Sequence, residues 1–197
     1  KGGLGNRHRH GATEGQPGVG KEIYLDLKVI ADAGLVGFPN SGKSTLISNI
    51  SNAHPKIASY PFTTKFPVLG VVRSENKTFV IADIPGLIEG SSQGRGLGDE
   101  FLRHVERTRL LVHMIDMAGS EGRDPIEDYK IIKKELKGYS AQVSKKPQIV
   151  VANKMDLEGA RTNLERFRKL TKKKVYAVSA LKKEGLEDLI EAVSQKL

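Results

Sequence analysis

GFPNSGKS, at positions 37–44, constrains this chain more than any other stretch. An apolar run, DAGLVGF, leads into it and the helical pattern KSTLISNISN follows. Strand, glycine-rich turn and helix form the setting in which Gly-x-x-x-x-Gly-Lys-Ser/Thr makes a phosphate cradle. Its glycines let successive backbone N–H groups curl round phosphate oxygens with no Cβ in the way. The cradle is expected to comprise Gly37, Phe38, Pro39, Asn40, Ser41 and Gly42. Lys43 would then reach the β and γ phosphates, and the Ser44 hydroxyl would ligate Mg²⁺. Thr45 comes next, in the first turn of a helix whose positive dipole end faces the same charge. The loop specifies a nucleoside triphosphate without specifying the base.

The rest of the chain alternates strand and helix. LGVVRSE and KTFVIAD read as strands joined by a turn at 74–77, and LLVHMID, PQIVVAN and KVYAVSA read as further strands. The mostly apolar runs among them suit strands buried on both faces. In PIEDYKIIKKELKGY, the residues Ile126, Tyr129, Ile131, Ile132 and Leu136 are placed near one helical stripe. LERFRKL and GLEDLIEAVSQKL are also helical. This order predicts an α/β fold with a mostly parallel central sheet and helices on both faces.

A domain boundary is expected near residue 30. Residues 1–29 are glycine-dense and poor in apolar side chains. With Lys1 in place of an initiator Met they read as the end of an N-terminal domain, so a fragment is expected. His8 and His10, in that strip, are read as binding nothing. Residues 30–197 would form the nucleotide-binding domain. The 197 residues include no Cys, which excludes disulfides and thiolate metal sites and fits a cytoplasmic protein. No apolar run approaches the ~20 residues that span a bilayer. The net charge of +9 suits an acidic partner, with RNA first among candidates, or a solvated lysine-rich surface.

NKMD, at 153–156, addresses the base. It follows the strand run QIVVA, where ligands bind in open α/β sheets. The Asp156 carboxylate can accept from the ring N–H and exocyclic amine of guanine. Adenine offers neither, so a buried carboxylate there would go unpaired, a mismatch worth orders of magnitude. Asn153, Lys154 and Met155 complete the motif. Ser179, Ala180 and Leu181 follow the next strand, where backbone N–H groups can meet the guanine carbonyl. Asp83 closes KTFVIAD, and Ile84, Pro85 and Gly86 follow it; Asp83 would hold a Mg²⁺-bound water and the Gly86 N–H would face the γ-phosphate. Phe62, Thr63, Thr64, Lys65 and Phe66 lie on the loop between, and Thr64 is favoured over Thr63 to complete the Mg²⁺ shell when the γ-phosphate is present. Lys43, Asn40, Thr64 and Gly86 are the expected catalytic groups, and the fold is expected to be a Ras-like G domain.

The chain resembles the Obg family of bacterial GTPases over about 21–197. The resemblance rests on GLVGFPNSGKSTL, YPFTTKFPVLGVV, ADIPGLIEGSSQGRGLGDEFLRHVERT and NKMD. The opening KGGLGN resembles the end of that family's glycine-rich domain. The resemblance implies a slow GTPase, binding GTP and GDP, that acts with the large ribosomal subunit (rRNA and ribosomal proteins) during assembly. Some members also respond to guanosine tetraphosphate. A monomer is expected.

Leu87 stands where Ras-type switches place a water-orienting glutamine. Three substitutes remain open. Glu89, Gln93 or Arg95 can swing in, a partner can donate a group, or K⁺ can sit near the phosphates. Asn40 bears on the last, because it matches the K⁺-ligating asparagine of potassium-activated GTPases with a similar loop; its other reading is a turn stabiliser. A nucleotide sensor acting by occupancy, and an ATP-dependent phosphotransferase, are the competing functions. His104 and His113 are read as hydrogen-bonded packing residues. TKKKV at 171–175 and Lys182–Lys183 are open to contact with RNA, but each, taken alone, reads first as solvated rim.

Overall fold

The computed structural model describes residues 15–23, 31–57, 67–83 and 106–197. Seven strands and five helices follow one another among them. They are β1 (Ala33–Val36), α1 (Lys43–Ile50), β2 (Lys56–Ile57), β3 (Val68–Arg73), β4 (Thr78–Asp83) and β5 (Leu110–Asp116), then α2 (Pro125–Tyr139), α3 (Ala141–Ser144), β6 (Gln148–Asn153), α4 (Ala160–Thr171), β7 (Val175–Ala177) and α5 (Leu186–Lys196). One sheet holds all seven strands in the order β2-β3-β4-β1-β5-β6-β7. The strands from β4 to β7 pair in parallel, while β2 and β3 add an antiparallel edge. The expected mostly parallel α/β sheet is therefore what forms. The short strand β2 and the helix α3 had no counterpart in the sequence reading.

Alternation along the strands sorts side chains to two faces. In β5 every residue is buried. Leu110, Val112 and Met114 pack with Leu46 and Ile47 of α1 and Leu189 of α5. Leu111 and Ile115 face the other side, where α2 and α4 cover them. The turn at 74–77 is present, closed by Ser74 N–H donating to the Lys77 carbonyl at 2.9 Å. Asp124 caps α2 by accepting from the Ile126 N–H at 2.9 Å, with Pro125 at the first helical position.

The α2 stripe needs one correction. Ile126, Tyr129, Ile132 and Leu136 are buried, but Ile131 is 40% exposed. Each helical residue advances about 100°, so Ile131 points well away from Ile132. His113 lies under this helix, 1% exposed, stacked on Tyr129 at 5.2 Å, and Tyr129 meets Phe167 edge-on at 5.1 Å. His113 packs as read, although its Nε2 has no hydrogen-bond partner. Burial, reinforced by Lys173, pushes its pKa down to about 3. His104 lies outside the described residues.

Two outcomes are expected. Phe167→Ala empties a fully buried site and should cost about 3–5 kcal/mol in urea unfolding, whereas Ile131→Ala should change stability by no more than about 0.5 kcal/mol. His113 stays neutral in the folded chain while the unfolded chain takes up a proton below about pH 6.5, so stability falls as pH drops from there toward 3. The slope approaches about 1.4 kcal/mol per pH unit, and unfolding measured at pH 7 and 5 should show His113→Phe flattening it.

Candidate nucleotide-binding site

The phosphate loop is shaped by how closely it approaches the ends of β5 and β6. A Cβ at Gly37 would run into the Met114 carbonyl oxygen, and one at Gly42 into the Asn153 amide nitrogen. Gly42 also has φ +96°, where other side chains are strained. Lys43 Nζ folds back to donate to the carbonyls of Gly37 and Phe38, each at 3.0 Å. Burial holds its pKa below the usual lysine value, and the Asp83 charge opposes that shift. Ser44 Oγ donates to Asp83 Oδ2 at 2.8 Å. The other carboxylate oxygen, Asp83 Oδ1, is buried without a partner, as is Ser41 Oγ. A hydroxyl beside an unsatisfied carboxylate oxygen is a hard oxygen donor set, and it fits Mg²⁺.

The base side is tied to this loop through one residue. Asn153 is 2% exposed. Its Nδ2 donates to the Ser41 carbonyl at 2.7 Å and its Oδ1 accepts from the Ala180 N–H at 2.9 Å. Asn49, from α1, donates to the Ala180 carbonyl at 2.7 Å. Asp156 accepts from Ser179 Oγ at 2.6 Å, and Met155 N–H donates to the Val178 carbonyl at 3.2 Å. Asp156 is exposed here, so the burial behind its selectivity has to come from the bound base. Ser179 and Ala180 N–H groups are already taken, by Glu184 and Asn153, while that of Leu181 meets no described residue. A cleft of about 430 Å³ runs from Asn40, Lys43, Ser44 and Thr45 to Lys154, Asp156 and Leu181.

Several partners of these site residues, Asp116, Ser120, Glu121 and Arg123, were not read from the sequence. Lys154 Nζ donates to Asp116 Oδ2 at 2.8 Å and to Ser120 Oγ at 2.6 Å. Burial alone would raise the Asp116 pKa, but the bonds from Lys154 and Ser120 prevail and hold it below the usual carboxylate value. An acid closing a mostly apolar strand run was the available signal. Arg123 lies 3.6 Å over the Phe38 ring while its Nε donates to Asp128 at 2.9 Å. Asn40 has φ 58° and donates to Glu121 at 3.1 Å. Pro39 is exposed beside it. Phe62, Thr63, Thr64, Lys65, Phe66, Ile84, Pro85, Gly86, Leu87, Glu89, Gln93 and Arg95 lie outside the described residues.

Phosphate loop and base loop in one cleft, with Asp83 bonded to its Ser44, at the carboxyl ends of a mostly parallel sheet, define a P-loop nucleotide-binding domain. Residues 32–154 match the family described as 50S ribosome-binding GTPase, and the chain belongs to that family. Its relatives bear out the Obg resemblance. GTPase Obg of Acetivibrio thermocellus is 51% identical over 209 residues, spanning 100% of this chain and 49% of that protein. GTPase Obg of Persephonella marina is 57% identical over 188 residues, 93% of this chain and 55% of that one. The chain thus spans about half the length of these curated relatives. Among solved structures, a point variant of Aquifex aeolicus Era bound to GDP·AlF4⁻ superposes with a TM-score of 0.64 at 28% identity, over 87% of this chain and 57% of that one. The G domain of the T. maritima FeoB iron transporter, at 21% identity and TM-score 0.62, covers 83% of this chain and 96% of that one and shares the fold.

Asn153→Ala should leave the Ser41 carbonyl and the Ala180 N–H without partners, each costing about 1–3 kcal/mol. Calorimetric titration with GDP should show at least about a tenfold loss of affinity. Unchanged binding would mean the two loops hold their places without this amide.

Proposed function

We propose that this chain is a Mg²⁺-dependent, GTP-binding switch that hydrolyses GTP slowly, acting in the cytoplasm as a monomer with the large ribosomal subunit during its assembly. Residues 30–197 are taken as the catalytic unit and 1–29 as the end of a glycine-rich domain. One observation carries the reading: the Asn153 amide joins the phosphate loop to the loop holding Asp156, so one cleft serves a triphosphate and a guanine together.

The chemistry asked of these residues is positioning and charge stabilisation. Water attacks the γ-phosphorus, the bond to the β–γ bridging oxygen breaks, and GDP and phosphate leave. Lys43 exchanges its two carbonyl contacts for phosphate oxygens. Ser44 Oγ and Asp83 would hold Mg²⁺, which neutralises charge on the β and γ phosphates. Thr64 is proposed to join that shell and the Gly86 N–H to meet the γ-phosphate. Asp156 selects guanine, and Lys154, braced by Asp116 and Ser120, presents its stem to the ring. Leu87 cannot hydrogen-bond, which supports a low unaided rate. Asn40 supports K⁺ as the compensating charge, since its Nδ2 is taken by Glu121 and its Oδ1 stays available. Leu87 equally favours the second reading, a guanine-nucleotide sensor acting by occupancy.

Phosphate release from GTP in K⁺ and in Na⁺ at equal ionic strength decides between them. The expected result is slow multiple turnover that K⁺ stimulates, with Asn40→Ala losing the stimulation. Equal slow rates in both salts would remove K⁺ from the scheme and turn attention to a partner. No turnover in either salt would establish the sensor instead.

A further inference from the structure

TKKKV reads alone as a solvated rim, yet folding brings Lys173 together with lysines from other segments. Lys133 and Lys137 of α2, Lys146 between α3 and β6, and Lys173 between α4 and β7 line one cleft of about 310 Å³. Ser144 and Gln148 give it neutral hydrogen-bonding groups, and no carboxylate lines it. The Nζ atoms of Lys133 and Lys173 each lie 6.0 Å from the Tyr129 ring centroid, so the two ammonium groups converge on one ring. Lys146 is pinned, donating to the carbonyls of Glu106, at 2.9 Å, and Thr108. Burial lowers its pKa, and the Glu106 charge opposes this.

Nothing among the described residues neutralises the others. Lys133, Lys137 and Lys173 form no ion pair with a described carboxylate. Lys133 and Lys137 are four apart on one helix, where like charges repel. Three ammonium groups without a described acid, gathered with Lys146 around a concavity that no carboxylate lines, carry a repulsion that a bound polyanion relieves.

The lining also narrows the partner. It holds no arginine fork to grip a carboxylate in two places and no exposed aromatic to stack a base, since Tyr129 is 4% exposed. It presents no large exposed apolar side chain to anchor a peptide. Flexible point charges suit phosphate oxygens read without regard to sequence. Lys146 and Lys173 precede β6 and β7, whereas Asp83, Asp116 and Asn153 close their strands at the nucleotide end. We propose that this lysine cleft binds the phosphate backbone of RNA, at the end of the sheet opposite the nucleotide, so that both are occupied together. Its assignment to ribosomal RNA rests on the function proposed above; its phosphate chemistry does not.

The test measures fluorescence anisotropy of a fluorescein-labelled RNA stem-loop with this chain saturated in GDP, over about 50–200 mM salt. Lys133→Ala/Lys173→Ala should weaken binding about tenfold or more at low salt and flatten the plot of log affinity against log salt by about 0.7–0.9 per lysine removed. Lys56→Ala/Lys77→Ala, removing equal charge at the far edge of the sheet, should stay within about twofold, and GDP affinity should hold in both. Equal losses in the two double variants, or none in the first, would overturn the proposal. So would polyglutamate displacing the stem-loop at equal charge concentration, which would assign the cleft to an acidic polypeptide. Co-sedimentation with large ribosomal subunits separates the two proposals. A chain that binds the stem-loop through the cleft but does not pellet retains the cleft and loses the ribosomal reading. Pelleting that Lys133→Ala/Lys173→Ala leaves intact does the reverse.

Discussion

Asn153 uses both ends of its amide inside the protein, donating to the Ser41 carbonyl and accepting from the Ala180 N–H. Few side chains can replace it. Aspartate has no donor for Ser41, glutamine is longer by a methylene, and an apolar residue leaves two buried groups unpaired. The same amide nitrogen occupies the space that a Cβ on residue 42 would need. The second glycine of the phosphate loop and the asparagine of the base motif are therefore one steric and hydrogen-bonding constraint met from two sides. Because Asn153 closes β6, the whole cleft inherits its dimensions from the sheet.

The sheet transmits that constraint through burial on both faces. β1 lies between β4 and β5, in parallel with both, which sets Leu35 beside Asp83 and beside Val112. Asp116 sits opposite Asn153 in the neighbouring pair. Three strand ends thereby deliver Asp83, Asp116 and Asn153 to the same edge as the loop that follows β1. Close packing leaves the strands little freedom to slide, since shifting one by a residue would exchange its two faces. The electrostatics of the two edges then differ. At the carboxyl edge, Lys154 and Asp116 compensate each other and Lys43 sits within reach of the Asp83 charge. At the amino edge, Lys146 feels the Glu106 charge, but Lys133, Lys137 and Lys173 form no ion pair with a described acid.

What could be read in advance followed from local pattern. Strand periodicity, the glycine loop and NKMD each announce themselves within a few residues, and the sheet with its carboxyl-edge cleft followed from their order. What escaped depended on contacts between distant segments. Nothing near Asp116 reveals that Lys154, 38 positions away, will bond to it. Arg123 over Phe38 is a meeting of two loops, and Ile131 looked like a stripe residue because its neighbour Ile132 belongs there. The lysine cleft escaped for the same reason: TKKKV stands out in charge, but its meeting with Lys133, Lys137 and Lys146 from two other segments does not show in the sequence. Asp156 was pictured as buried, but its burial waits on a base that the chain alone does not include.

Asn40 shows how far backbone geometry goes toward explaining a side chain. At φ 58° it occupies the left-handed region, which asparagine tolerates better than most residues. That accounts for an asparagine over a leucine, but glycine would sit there with less strain. The amide must therefore contribute something of its own. Its bond to Glu121 is exposed, and an exposed polar contact of this kind adds little to stability. No described residue bonds its Oδ1. The turn reading thus explains the backbone, and Glu121 explains the direction of the nitrogen. The oxygen, with no described partner, is the part left over, and it is the atom on which the proposed K⁺ site rests.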